Sequence, residues 1–285
     1  MQQPAPFDRA VFNRKAAEHR YAIADMMGNA GSGHIGGAFS IIEILLTLYW
    51  RVMNVDAKNP QWPDRDRFIL SKGHAGPGLY ATLAFKGYFP TKELLTLNKN
   101  GTNLPSHCDM LKTIGIDMTA GSLGQGLSAA VGMALAAKMD KKNFRVYSII
   151  GDGESNEGQI WEAAMFAGHR KLDNLMVFTD FNKFQIDGPN REICDLEPLA
   201  DKWRAFNWEV FECDGHSWDD IFNTIEKAKL VKEKPVMIIA HTLKGKGHPA
   251  YENKCESHNI RVADAAAHKA LLDAISVDGF EWPPR

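Results

Sequence analysis

Two short apolar runs, each ending in a polar residue, constrain this chain more than any other feature. FRVYSII (144–150) leads into Gly151-Asp152-Gly153, and NLMVFTD (174–180) leads to Asn182. Both read as strands buried on two faces, the habit of a parallel sheet. Between them, residues 157–170 fit a helix. Strand, helix and parallel strand make a right-handed crossover, which returns the chain to the same end of the sheet. Asp152 and Asn182 therefore fall together at the carboxyl edge, where open α/β sheets bind ligands.

The rest of the chain repeats the alternation. Apolar residues at helical spacing mark a helix over 8–28, which stops at the Gly-rich stretch Gly28 to Gly37. A second helix is expected over 40–52, a strand over 66–70 and a helix over 75–87. A polar loop follows over 98–121, then an Ala- and Gly-rich helix over 122–138. Two further strands, 207–213 and 235–240, flank a helix at 217–231. Strands alternating with helices predict an α/β fold: a parallel sheet with helices on both faces. No repeat or long linker divides the chain, so residues 1–285 read as a single domain with a C-terminal tail from about 260.

Composition removes several classes. The formal net charge of −2 gives no reason to expect binding to nucleic acid or to an anionic membrane. Cys108, Cys194, Cys213 and Cys255 form no CxxC pair and read as reduced thiols, which points to the cytoplasm. The N-terminus, MQQPAPFDRAVFNRKAAEHR, is charged and lacks the apolar core of a signal peptide. The run Phe39 to Trp50 contains Glu43 and is too short to span a bilayer.

The sheet edge carries chemistry. Gly151 and Gly153 clear the space beside Asp152, so backbone N–H groups can approach an anion. Asp and Asn offer hard oxygen ligands that suit Mg²⁺, with phosphate oxygens completing its shell. The following helix aims its N-terminus at the same place, which also favours phosphate. Alone, GDG would read as a tight turn and Asn182 as a polar residue at a strand end. Four histidines sit in loops rather than on apolar helix faces: His34 in GSGHIGG, His74 in SKGHAG, His107 in LPSHCD and His258 in CESHN. Histidine titrates near neutral pH and can both donate and accept protons.

GDG, then 28 residues, then Asn182, with QIDG at 185–188, resembles the thiamine diphosphate signature. NAGSGHIGGAFS, DRFILSKGHAGPGLYA, GIDMTAGSLGQGLSAAVGMA and GDGESNEGQIWEAA resemble, in order and over about 20–260, the N-terminal cofactor-binding part of transketolases. The resemblance implies the pyrophosphate-domain fold with thiamine diphosphate and Mg²⁺, for which Ca²⁺ or Mn²⁺ can substitute. It implies metal ligands from the Asp152 and Asn182 side chains and the Phe184 carbonyl. His74, His258 and the Gly153 N–H would bind the diphosphate, and Gly121, Ser122 and Leu123 would line the cofactor. His34 and His107 would hydrogen-bond the donor sugar, and His258 would also assist proton transfer. Glu157 and Glu162 would join an acidic network reaching another chain.

The implied activity is a transferase reaction of carbohydrate metabolism. A two-carbon ketol unit moves from a ketose phosphate to an aldose, by default within the pentose phosphate pathway. The pyrimidine-binding domain, with the glutamate that activates the cofactor, would come from a separate C-terminal transketolase subunit in an α2β2 heterotetramer. Some motifs depart from the family pattern. GHIG stands for the usual GHPG, and DFN precedes the metal loop. LPSHCD and SHN surround His107 and His258, which leaves the sugar open, sulfonated or branched sugars included.

Other readings compete. GSGHIG (31–36) matches G-x-G-x-x-G, with Asp56 downstream, but it follows a helical pattern where a dinucleotide fingerprint needs a strand. KGKG (244–247) reads as a basic loop near phosphate rather than a P-loop. A zinc site from the histidines lacks ligand-pair spacing. Two alternatives remain: a 1-deoxyxylulose-5-phosphate synthase-like enzyme, or a non-catalytic scaffold subunit.

Overall fold

The computed structural model describes residues 8–282; residues 1–7, the start of the charged N-terminal stretch, lie outside the described residues. Its strands are β1 (Ser32–Gly33), β2 (Arg67–Leu70), β3 (Val146–Gly151), β4 (Leu175–Phe181), β5 (Glu209–Asp214), β6 (Val236–His241) and β7 (Ile260–Arg261). Five form one sheet in the order β2-β3-β4-β6-β5. Every neighbour in it is parallel. β1 and β7 form a separate antiparallel ribbon. The longer helices are α1 (Arg9–Ala30), α2 (Gly76–Lys86), α3 (Gln125–Met139), α4 (Gly158–His169), α5 (Trp218–Ala228) and α6 (Ala265–Asp273).

All residues of β3 and β4 are buried, as their apolar runs require. Successive side chains point to opposite faces. Tyr147, Ile149, Met176 and Phe178 enter a core closed by Ile23 and Met27 of α1, Leu79 of α2 and Ile221 of α5. Val146, Ile150, Leu175 and Val177 enter the other, closed by Leu127 of α3, Ile160 of α4 and Trp203. Helices thus cover both faces of the sheet, the expected α/β arrangement.

The departures from expectation are local. The helix expected over 40–52 is broken into Gly36–Phe39, Ile42–Thr47 and a π-turn, Leu48–Val52. Ser40 lies at the break, its hydroxyl donating to Asp180 at 2.7 Å. α3 begins at Gln125 rather than 122, after Gly124 at φ 88°. The helix Leu199–Ala205 has no counterpart in the sequence pattern; its buried stripe, Leu199 and Trp203, is too short to register as a period. The G-x-G-x-x-G match does follow a helix, and its Gly31 is the left-handed cap of α1.

Residues beyond 260, read as a tail, carry β7 and α6. His268 of α6 places Nε2 2.7 Å from Asp25 of α1, and the Trp282 indole N–H donates to the same carboxylate at 2.8 Å. α6 packs so closely that a Cβ on Gly28 would lie 1.9 Å from the His268 ring. Among the described residues, no helix is long and apolar enough to cross a membrane.

Candidate active site

The register of β3 on β4 pairs Gly151 with Asp180, so Asp152 and Asn182 leave the sheet side by side. The buried Asp152 carboxylate accepts hydrogen bonds from the backbone N–H of Gly153 and of Lys183, the residue after Asn182. The Asn182 Nδ2 donates to Asp180 Oδ2 at 2.9 Å, and its Oδ1 accepts from the Phe184 N–H at 3.1 Å. Asp180 is anchored in turn by the Lys72 ammonium at 2.5 Å and by the Ser40 and Thr242 hydroxyls.

These carboxylates are tuned apart. Burial pushes Asp152 up to about 7, and the nearby Asp180 charge adds to the effect against the bonds from Gly153 and Lys183. Asp180 is just as buried, yet the Lys72 charge and its bonds from Lys72, Thr242 and Ser40 hold it below the usual carboxylate range. A cation at Asp152 would relieve the unfavourable charge there. The donor set is one carboxylate, one amide oxygen and the backbone of the same loop, all hard oxygens, and it fits Mg²⁺. Among the described residues no group of three or more His, Cys, Asp or Glu side chains is placed to hold a metal, so the zinc reading has no ligand set.

The four loop histidines converge. β1 and β7 pair Gly33 with Ile260, which brings His34 beside His258 across more than half the chain. The ring centroids are 5.3 Å apart for these two, 5.3 Å for His34 and His74, 5.0 Å for His74 and His258, and 5.7 Å for His34 and His107. All four line a cavity of about 400 Å³ that also reaches Asp152 and Asn182.

Burial lowers every one of these imidazoles. The charge of Lys244 helps bring His258 down to about 3, and that of Lys72 helps hold His74 well below its ordinary value. His34 feels burial first, then His107 and Lys244. At neutral pH each ring is therefore neutral, with one donor and one acceptor nitrogen. Lys244 Nζ lies 3.3 Å from His258 Nδ1, which makes Nδ1 the acceptor and leaves the proton on Nε2. Neutral imidazoles in this array can both receive and supply hydrogen bonds to sugar hydroxyls.

Gly121, Leu123, Gly153 and Phe184 also line the cavity, whereas Ser122 lines a more open depression beside His107. Glu157 is exposed at the cavity's edge, and Glu162 is exposed on α4 outside its lining. The residues that sequence reasoning missed are Lys72, Glu154 and Asp180. Glu154 is buried and accepts from the Ser71 hydroxyl and the backbone N–H groups of Gly124 and Gly151. Burial raises its pKa above the ordinary value despite those bonds. Lys244, noted only as part of a basic loop, is 2% exposed and faces the cavity. The available signal for Lys72 was a lysine two residues past a buried strand, at the same end of a parallel sheet as the strand that closes near Asp180.

Residues 12–274 match the family described as transketolase, thiamine diphosphate binding domain. This chain belongs to the transketolase family. It is 60% identical over 254 residues to the 6-deoxy-6-sulfo-D-fructose transketolase subunit SqwG of Clostridium sp. (strain MSTE9), covering 89% of this chain and 92% of that protein. It is 40% identical over 245 residues to one of the subunits of the apulose-4-phosphate transketolase of Phocaeicola vulgatus, covering 86% of this chain and 87% of that one. The transketolase of Campylobacter jejuni has the same fold, with a TM-score of 0.84 at 29% identity. That match covers 94% of this chain and 46% of the solved one. The transketolase of Leishmania mexicana matches with the same TM-score at 31% identity, over 92% of this chain and 41% of that one. The chain thus spans less than half the length of the solved transketolases and nearly all of the two separate subunits.

A transketolase-type enzyme subunit using thiamine diphosphate is the class these relatives define. The synthase-like and scaffold readings give way to it.

Proposed function

We propose that this chain, as a single cofactor-binding domain, works with a separate chain carrying the pyrimidine-binding domain in an α2β2 assembly in the cytoplasm. The pair transfers a two-carbon ketol unit to an aldose, with a 6-deoxy-6-sulfo ketose as donor. The observation that carries the reaction type is the closure of four neutral imidazoles over one cavity beside Asp152 and Asn182. The donor assignment rests on the 60% identity to the sulfofructose transketolase subunit. The four cysteines are free thiols, which suits a reducing compartment.

In this reading Asp152, Asn182 and the Phe184 carbonyl hold Mg²⁺, with Ca²⁺ or Mn²⁺ as substitutes. His74, His258 and the Gly153 N–H bind the diphosphate, and Gly121 to Leu123 line the cofactor. Bound thiamine diphosphate supplies the nucleophilic carbon and the electron sink of the reaction. His34 and His107 hold the donor's hydroxyls, and His258 moves a proton at a sugar oxygen through its Nε2. Glu157 and Glu162, both exposed, meet the partner chain.

The test is a reconstituted pair, assayed with 6-deoxy-6-sulfofructose, fructose 6-phosphate and xylulose 5-phosphate as donors. The sulfonated donor is expected to give the highest kcat/KM, and the chain alone no transfer. A preference for either phosphate would overturn the donor assignment, and transfer by the chain alone would overturn the two-chain arrangement.

A further inference from the structure

One short loop past β6 reaches both Asp180 and His258. Thr242 donates its hydroxyl to Asp180, and Lys244 Nζ stands 3.3 Å from His258 Nδ1. Between these two residues, the Leu243 N–H donates at 2.8 Å to Nε2 of His216, a histidine that does not line the cavity. His216 lies in the turn between β5 and α5. That turn is pressed onto the loop. The Gly215 N–H donates to the His241 carbonyl at 2.8 Å, and a Cβ on Gly215 would lie 2.4 Å from Thr242 Cγ2.

Because Nε2 accepts, the His216 ring carries its proton on Nδ1, which lies 3.1 Å from Glu43 Oε2. The same oxygen accepts from Arg20 Nη2 of α1 at 2.7 Å, and the Arg20 and Glu43 side chains are both buried. Burial pushes the Glu43 carboxyl up, but the Arg20 charge and the His216 contact overcome it and hold it below the ordinary value. Arg20 Nη2 also donates to the Phe39 carbonyl at 3.0 Å. Phe39 precedes Ser40, whose hydroxyl is another donor to Asp180. One buried network therefore ties down two segments that bond to Asp180: the helix break at Ser40 and the loop at Thr242. A buried ion pair adds little net stability over apolar side chains of the same volume. What this one supplies is direction, a fixed acceptor for a single backbone N–H.

We propose that His216 is a positioning residue of the histidine cavity: through the Leu243 N–H it sets where Thr242 and Lys244 stand, and so the orientation of Asp180 and the tautomer of His258. Arg20 and Glu43 act behind it, by keeping the His216 proton on Nδ1 and its Nε2 free to accept. The proposal rests on the reading that His258 moves a proton through its Nε2. Without the acceptor at His216, the Leu243 segment loses its anchor, and Lys244 is no longer held against His258 Nδ1.

Two variants separate positioning from packing. His216→Phe keeps a ring and removes the acceptor, whereas His216→Gln offers its amide oxygen to the Leu243 N–H. The full chain is labelled with ¹⁵N-histidine, and the His258 tautomer is read from its ring nitrogen shifts, assigned by their absence from His258→Gln. The parent is expected to carry the His258 proton on Nε2. His216→Phe should lose that preference, and His216→Gln should keep it. In the reconstituted pair at saturating thiamine diphosphate and Mg²⁺, His216→Phe should lower kcat by about 10- to 100-fold with little change in donor KM, and His216→Gln should restore it. If His216→Phe does not fold, His216→Asn takes its place, because the shorter amide still donates to Glu43 and cannot reach Leu243. Three results would overturn the proposal: a parent with the His258 proton on Nδ1, an unchanged His258 tautomer in the folded Phe or Asn variant, or equal loss in the Phe and Gln variants. A tautomer response with no ketol transfer by the parent pair would support the positioning role and count against the proposed reaction, so the two fail separately.

Discussion

Lys72 Nζ lies 2.5 Å from Asp180 Oδ2, and neither side chain is more than 2% exposed. The same Asp180 oxygen accepts from the Asn182 Nδ2. The pair therefore fixes which way the Asn182 amide faces: nitrogen toward Asp180, oxygen toward the Phe184 N–H and the sheet rim. Removing the ammonium leaves a buried carboxylate without its charge partner. Lys72→Met is expected to cost about 3–5 kcal/mol in urea unfolding. The double variant Lys72→Met with Asp180→Asn should recover most of that loss. A single variant that loses less than about 1 kcal/mol would show that the pair does not hold this edge.

Asp152 separates stability from binding. Its carboxylate sits buried beside the Asp180 charge and, among the described residues, accepts two backbone bonds. Asp152→Asn removes the like-charge contact with Asp180 but gives up one of the two backbone bonds, because the amide nitrogen cannot accept; the two effects offset, so the cofactor-free chain should stay within about 2 kcal/mol of the parent by urea unfolding. Affinity for thiamine diphosphate with Mg²⁺, measured by calorimetry, should fall by at least about 100-fold. Undiminished cofactor affinity would remove Asp152 from the metal site.

The acid side of the stability profile should be steep. His19 is 1% exposed, wedged against Phe85 with ring centroids 4.5 Å apart, and its Nε2 has no partner among the described residues. Burial lowers its pKa to about 3 from an ordinary 6.5. Between those values the unfolded chain binds a proton and the native chain does not. Stability is thus complete above about pH 6.5 and falls by about 1.4 kcal/mol per pH unit for this one group as pH drops toward 3. His19→Leu should flatten the slope, as read from denaturant unfolding at pH 4.5, 5.5 and 6.5. An unchanged slope would mean that His19 is not the group responsible.

Two glycines should respond in opposite directions to alanine. A Cβ on Gly36 would lie 2.4 Å from Ser257 Oγ, 2.7 Å from Ser257 O and 2.9 Å from Lys244 Cγ. Gly36→Ala must push away the segment that carries His258. A loss of about 1–3 kcal/mol is expected, together with weaker cofactor binding. Gly132 sits within α3, and a Cβ added there would meet nothing within 4 Å, so Gly132→Ala should add about 0.5–1 kcal/mol. Thermal unfolding of the isolated chain measures both.

The acidic loop shows where sequence reasoning stops. GDGESNEG contains Glu154 and Glu157, and no periodicity says which of them turns inward. The 3₁₀ turn Gly153–Asn156 decides it, placing Glu154 under Ser71 and Gly124 and leaving Glu157 exposed. The burial of Lys72 and Lys244 was equally illegible. A lysine looks solvated until the loops that cover it are known, and the compensating Asp180 lies 108 residues from Lys72. The strands β3 and β4 were legible because two-sided burial leaves an unbroken apolar run in the chain itself.

The sequence by itself determined the alternation of strands and helices and the meeting of Asp152 with Asn182. Both follow from local pattern and from the fixed hand of a crossover connection. Only the tertiary structure decided that His34, His74, His107 and His258 share one cavity. Their meeting depends on contacts between distant loops, above all the pairing of β1 with β7, and no local preference encodes a contact between residues so far apart along the chain.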